Sequence, residues 1–93
     1  MVFNFIIICY SLLLLIIAII LGHGIFLYAD GDVYEGSFKD DMRDGFGILK
    51  SKTNGSIYTG EWSRNYRNGK GTLTLPDGVV YEGQFKDNIY IPN

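Results

Sequence analysis

The alternation of apolar and polar positions divides this chain at Leu21–Gly22. From Val2 to Leu21 only Asn4 and Ser11 are clearly polar, and no charge occurs before Asp30. A helix rises about 1.5 Å per residue, so about 20 apolar residues cross a hydrocarbon core roughly 30 Å thick. The run therefore predicts one transmembrane helix over 1–21. No period-2 alternation marks a half-buried strand there, and the short remainder is too small to wrap a helix that is apolar all round. After Gly22 the pattern changes. In Tyr34-Glu35-Gly36-Ser37-Phe38 the Tyr, Gly and Phe share one face of a strand, and Glu and Ser share the other. Tyr58-Thr59-Gly60-Glu61-Trp62 and Tyr81-Glu82-Gly83-Gln84-Phe85 repeat the alternation. With the segments that begin Gly22-His23-Gly24, Gly45-Phe46-Gly47 and Gly69-Lys70-Gly71, this predicts strands near 24–28, 33–39, 46–51, 57–63, 70–75 and 80–86.

The glycines fall in one register: 22, 24, 31, 36; then 45, 47, 55, 60; then 69, 71, 78, 83. The period is 23 to 24 residues, with one residue inserted in the middle copy. Tyr34, Tyr58 and Tyr81 each precede a glycine by two, and Phe38, Trp62 and Phe85 each follow it by two. Asp30-Gly31, Asn54-Gly55 and Asp77-Gly78 suit two-residue turns in which both residues have positive φ. A strand glycine loses roughly 0.5–1 kcal/mol in entropy. An aromatic ring laid over it offsets that loss, so the glycines read as slots for Tyr, Phe and Trp rings.

This pattern resembles the MORN repeat, a unit built around Tyr-x-Gly-x-Trp followed by Gly-x-Gly. The resemblance covers Gly22 to Asn88: a half repeat at 22–33, full repeats at 34–57 and 58–80, a half repeat at 81–88 and a tail at 89–93. It implies an all-β fold, an elongated single antiparallel sheet of stacked β-hairpins, here preceded by the hydrophobic helix. There are departures. Asp41, Asn65 and Asn88 stand where the family usually has glycine, and all three tolerate the left-handed region. Only Trp62 keeps the tryptophan, and the expected upstream Tyr, Gly and aromatic are Ser11, Leu13 and Leu15. Downstream the next glycine position holds Pro92. The array is thus expected to stop mid-unit at both ends and to leave open strand edges.

Composition then narrows the function. With 8 Lys+Arg against 10 Asp+Glu the net charge is −2, which predicts no nucleic-acid partner. One cysteine, Cys9, and one histidine, His23, can assemble neither a catalytic triad nor a metal cluster, so neither enzyme activity nor a cofactor is expected. Asp30-Gly31-Asp32 begins like a calcium loop, but Tyr34 occupies a ligand position. The Gly-x-Gly pairs lack the Lys-Ser/Thr of a phosphate loop.

The sequence therefore predicts a non-catalytic scaffold or interaction module held at a membrane by residues 2–21. It would bind a protein partner or itself through an aromatic face and its open edges. Tyr34, Phe38, Tyr58, Trp62, Tyr81 and Phe85 form that face; their main role is packing on glycines, and those left uncovered form a groove for a peptide or a second copy. Lys50, Lys52, Arg64, Arg67 and Lys70 read as a solvated edge or as a contact for acidic phospholipid head groups. The resemblance also admits an accessory segment of a larger enzyme such as a phosphatidylinositol phosphate kinase. Two other readings of 1–21 stand beside the anchor: a cleaved secretory signal, and a non-coding stretch read through as protein, which would leave the array cytoplasmic. As an anchor it implies a single-pass membrane protein with a cytoplasmic array. Asn54-Gly55-Ser56 is a glycosylation acceptor that would report a lumenal array.

Overall fold

The computed structural model describes residues 22–92 and Ile6–Ile8. These residues form one sheet whose strands lie side by side in chain order. The strands are β1 (Ile6–Ile8), β2 (His23–Leu27), β3 (Val33–Lys39), β4 (Met42–Lys50), β5 (Ile57–Ser63), β6 (Tyr66–Thr74), β7 (Val80–Lys86) and β8 (Ile89–Ile91). From β2 to β8 every neighbour is antiparallel, and β1 alone pairs in parallel, Ile6 opposite Ile25. The helix expected over 1–21 lies outside the described residues, apart from Ile6–Ile8, which are extended. Among the described residues no helix is long and apolar enough to cross a membrane.

The strands sit where the alternation places them, but the turns are of different kinds from those expected. Asp30-Gly31, Asn54-Gly55 and Asp77-Gly78 are not two-residue turns. Gly78 N–H donates to Leu75 O at 2.9 Å and Leu75 N–H to Val79 O at 2.8 Å, enclosing the three residues Pro76-Asp77-Gly78. In each of these loops only the glycine has positive φ, the arrangement of a longer hairpin loop. The Asp or Asn instead accepts, through its side-chain oxygen, the N–H two residues on: Asp32 to Asp30, Ser56 to Asn54, Val79 to Asp77. That bond caps the loop without needing a left-handed residue. The inserted residue makes Lys52–Gly55 a four-residue loop, closed by Ser51 N–H on Ser56 O at 2.9 Å.

Two-residue turns with both φ positive occur at the other ends of the strands. They are Asp40-Asp41 (51° and 67°), Arg64-Asn65 (50° and 74°) and Asp87-Asn88 (49° and 75°). Tight turns here let β4 begin at Met42 and β6 at Tyr66, four residues before the expected starts, and they add β8.

The second turn residue also fastens one repeat to the one before. Asn65 Oδ1 accepts Arg43 N–H at 2.9 Å, and Asn65 N–H donates to Arg43 O at 3.0 Å. Asn88 treats Arg67 the same way, at 2.9 and 3.1 Å. Asn65→Gly keeps the left-handed turn and loses the side-chain acceptor, so it is expected to destabilise by about 1 kcal/mol. Asn65→Ala adds the left-handed penalty and is expected to reach about 2 kcal/mol. Urea midpoints falling in the order Asn, Gly, Ala would bear this out; equal loss for both would sink it.

A row of six glycines crosses the sheet, each opposite the next: Gly24, Gly36, Gly47, Gly60, Gly71 and Gly83. Beside this row the register shifts between Gly36 and Phe38, so that Ser37 stands against Asp44, Gly45 and Phe46. A matching shift follows Gly60. Such bulges bend a strand and increase its twist. The two glycines of each Gly-x-Gly thus differ: Gly45 and Gly69 sit in the bulges at φ near 100°, and only Gly47 and Gly71 are slots for rings.

Candidate functional site: the aromatic face and its groove

The core is a line of rings on one face. Tyr34 and Tyr58 are fully buried, with Trp62 and Phe85 almost so. The Tyr34 ring lies directly on Gly47, and the Tyr58 ring on Gly71, where any Cβ would overlap the ring. The Tyr34 hydroxyl donates to Ser37 O at 2.9 Å and the Tyr58 hydroxyl to Glu61 O at 2.8 Å. Trp62 Nε1 donates to Gly47 O at 3.1 Å. Edge-to-face contacts link the units, Tyr34–Trp62 at 5.6 Å and Tyr58–Phe85 at 5.1 Å, and Tyr58–Trp62 at 5.1 Å joins them within one unit. Such pairs add about 0.5–1.5 kcal/mol each beyond area burial. Of the six aromatics marked from sequence, four are therefore spent inside the core. Phe38 is half-buried against Tyr34, and Tyr81 is 38% exposed beside Tyr90.

Burial raises the Tyr34 and Tyr58 hydroxyl pKa values above the ordinary tyrosine range, and both hydroxyls are donors that must stay protonated. A folded pKa above the unfolded one gives stability that is complete below about pH 10 and lost as pH rises beyond it. The urea midpoint is expected to hold up to about pH 10 and to fall above it. In the Tyr34→Phe/Tyr58→Phe double variant that slope should flatten, from a lower starting stability. An unchanged slope would show that these two groups do not control alkaline unfolding.

Two arginines complete the face. Arg43 opposes Phe38, and Arg67 opposes Trp62, at matching positions in successive repeats. The Arg43 guanidinium lies 4.7 Å from the centre of the Trp62 ring and 5.7 Å from that of Tyr28. Arg67 lies 5.6 Å from Phe85 and 5.7 Å from Tyr58. Nη2 of Arg43 donates to Asn65 O at 3.2 Å and Nη2 of Arg67 to Asn88 O at 2.8 Å. Arg43 Nε is buried without a hydrogen-bond partner, a loss that the stacking on Trp62 offsets. Burial lowers the Arg67 pKa, yet an arginine remains charged. Arg43 carried no signal as a lone charge; its sign in the sequence is the recurrence of Arg five residues after Phe38 and after Trp62. At the third such position Tyr90 packs on Phe85.

These groups line a groove of ≈ 250 Å³. Tyr58, Trp62 and Leu73 line it with Arg43 and Arg67, and Ser51, Asn54 and Ser56 contribute polar groups from the loop end. The opposite face holds a second hollow of ≈ 490 Å³ around Phe46, Thr59, Lys70 and Thr72. The five basic residues marked from sequence are not brought together. Lys52 is in the Lys52–Gly55 loop and Arg64 in the turn at the far end of β5, about 23 Å away by strand length. Lys50 and Lys70 project from the face away from the rings, and Arg67 is stacked within the groove. Among the described residues no cluster of His, Cys, Asp and Glu could hold a metal ion.

Comparison with known proteins agrees with this architecture. The MORN repeat family model matches residues 20–33, 34–56, 58–80 and 81–90. The chain is 38% identical over 56 residues to Alsin from Rattus norvegicus, from Mus musculus and from Homo sapiens. That stretch is 56% of this chain and 3% of each Alsin. With matches running through four consecutive units, the chain belongs to the MORN repeat family.

Proposed function

We propose that the chain is a protein-interaction module, held at a membrane by residues 2–21, that takes an extended segment of a partner protein in the groove of its aromatic face. MORN repeats are in general non-catalytic modules of protein or membrane interaction. The groove itself carries the finer reading: with four aromatics closed into the core, what remains open on that face is a channel with a ring-lined floor and two fixed cations. The acidic-lipid reading draws on five basic residues that lie on different faces and ends of the sheet, and we set it second. The chain also fits an accessory segment of a longer protein, since the stretch that matches Alsin spans only 3% of that protein's length. The transcript across Leu21–Gly22 and after Asn88 tests that point.

The groove is tested by selecting a displayed library of extended peptides on the full chain. Binders are expected to shift the emission of Trp62, the single tryptophan, and to lose at least ten-fold in affinity when Ser51→Trp fills the groove. Lys70→Glu, on the other face, should leave them unaffected. Binders indifferent to the filled groove would place the interaction elsewhere.

A further inference from the structure

We infer that the groove is matched to a polyproline-II segment carrying a carboxylate at every third residue, laid across the strands along the array. This rests on the peptide-groove reading above. Its basis is the spacing of Arg43 and Arg67. Each guanidinium is fixed by a ring of the next unit below it and by an asparagine carbonyl beside it, so the two cations are fixed points. Among the described residues neither guanidinium is ion-paired, and Asp32 is the one carboxylate lining the groove. Each therefore has donors to offer a carboxylate, a pairing stronger than a neutral hydrogen bond.

Arg43 lies on β4 and Arg67 on β6, with β5 between them. Their separation is two strand spacings, about 9.5 Å. A polyproline-II helix advances about 3.1 Å per residue with three residues per turn, so residues i and i+3 share one side about 9.3 Å apart. A β-strand does not fit: its same-side residues are about 6.7 Å apart, and i and i+3 point in opposite directions. An α-helix comes near only at i+7, about 10.5 Å, and needs more than twice as many residues to do so. Leu49 and Leu73, half-buried along the groove, give proline rings an apolar contact, and a polyproline-II segment loses little entropy on binding. The repeat period of the protein and the turn of the ligand would then coincide, one acidic residue per MORN unit.

The test uses the full chain in zwitterionic detergent and reads Trp62 fluorescence. Three peptides are titrated: four tandem Glu-Pro-Pro units, a peptide of the same composition with the glutamates adjacent, and four tandem Lys-Pro-Pro units. The first is expected to bind at least ten-fold tighter than the second, with no saturable shift from the third. Arg43→Gln and Arg67→Gln should each weaken the first about ten-fold; the spacing comparison on the unaltered chain stands even if these variants fold poorly. Equal affinity for the first two peptides would overturn the inference. So would a Trp62 shift produced by phosphatidylserine vesicles and by none of the peptides, which would assign the cations to a lipid surface. If library peptides bind the groove while Glu-Pro-Pro does not, the spacing argument fails and the groove reading stands. If no peptide binds, both fail.

Discussion

Gly47→Ala is expected to destabilise the array by about 3 kcal/mol, a large share of the roughly 5–15 kcal/mol that holds an ordinary domain folded. The added methyl would occupy space already held by the Tyr34 ring, whose own backbone-bonded hydroxyl prevents it from moving aside. The ring must leave its slot, exposing the edge of Trp62 that it covers. Gly78→Ala is the contrast: its φ is +92°, but nothing lies within 4 Å of the new methyl, so only the backbone strain of about 1–2 kcal/mol applies. A double-mutant cycle separates the mechanisms. In a Tyr34→Ala background Gly47→Ala should cost little, giving a coupling of about 2 kcal/mol or more. Additive losses would mean that ring and glycine do not share the slot.

Trp62→Ala should cost about 3–5 kcal/mol through the cavity it leaves, and the damage should appear in two repeats at once. Trp62 contacts Tyr34 of one unit and Tyr58 of the next, lies beneath Arg43, and ties its indole to Gly47 O. Hydrogen exchange should therefore accelerate in β3–β4 and in β5–β6 together. Trp62→Phe should be far milder, about 1–2 kcal/mol, because Phe38 and Phe85 hold the equivalent positions in neighbouring units and only the indole bond and the larger stacking surface are lost. Equal damage from Phe and Ala would show that the indole bond, not ring packing, joins the repeats.

The strands were legible because Tyr-x-Gly-x-aromatic alternates with period two, and the family because twelve glycines keep one register. The turns were harder. Asp41, Asn65 and Asn88 were readable as left-handed positions, because each stands where the repeat has glycine, and all three have positive φ; Asp30-Gly31 looks like a tight turn and is part of a longer loop. The reason is that an Asx side chain can either accept a local N–H or enter the left-handed region, and composition alone does not say which. Arg43 was hidden for a related reason. An arginine with stacked rings and a backbone carbonyl as partners reads, in sequence, like any exposed cation. Its position relative to Phe38, repeated by Arg67 and Trp62, was the available sign.

The asparagine clip has a consequence for synthesis. It runs only backwards, from the turn of one unit to the second strand of the unit before: Arg43 is fastened by Asn65, 22 residues later, and Arg67 by Asn88, 21 residues later. A ribosome adds about 5–20 residues per second, so each hairpin spends about one to four seconds unlatched before its fastener is made. The array closes in one direction, like a zip following the polymerising end, and a pause in translation leaves the last-made unit as its loose tooth.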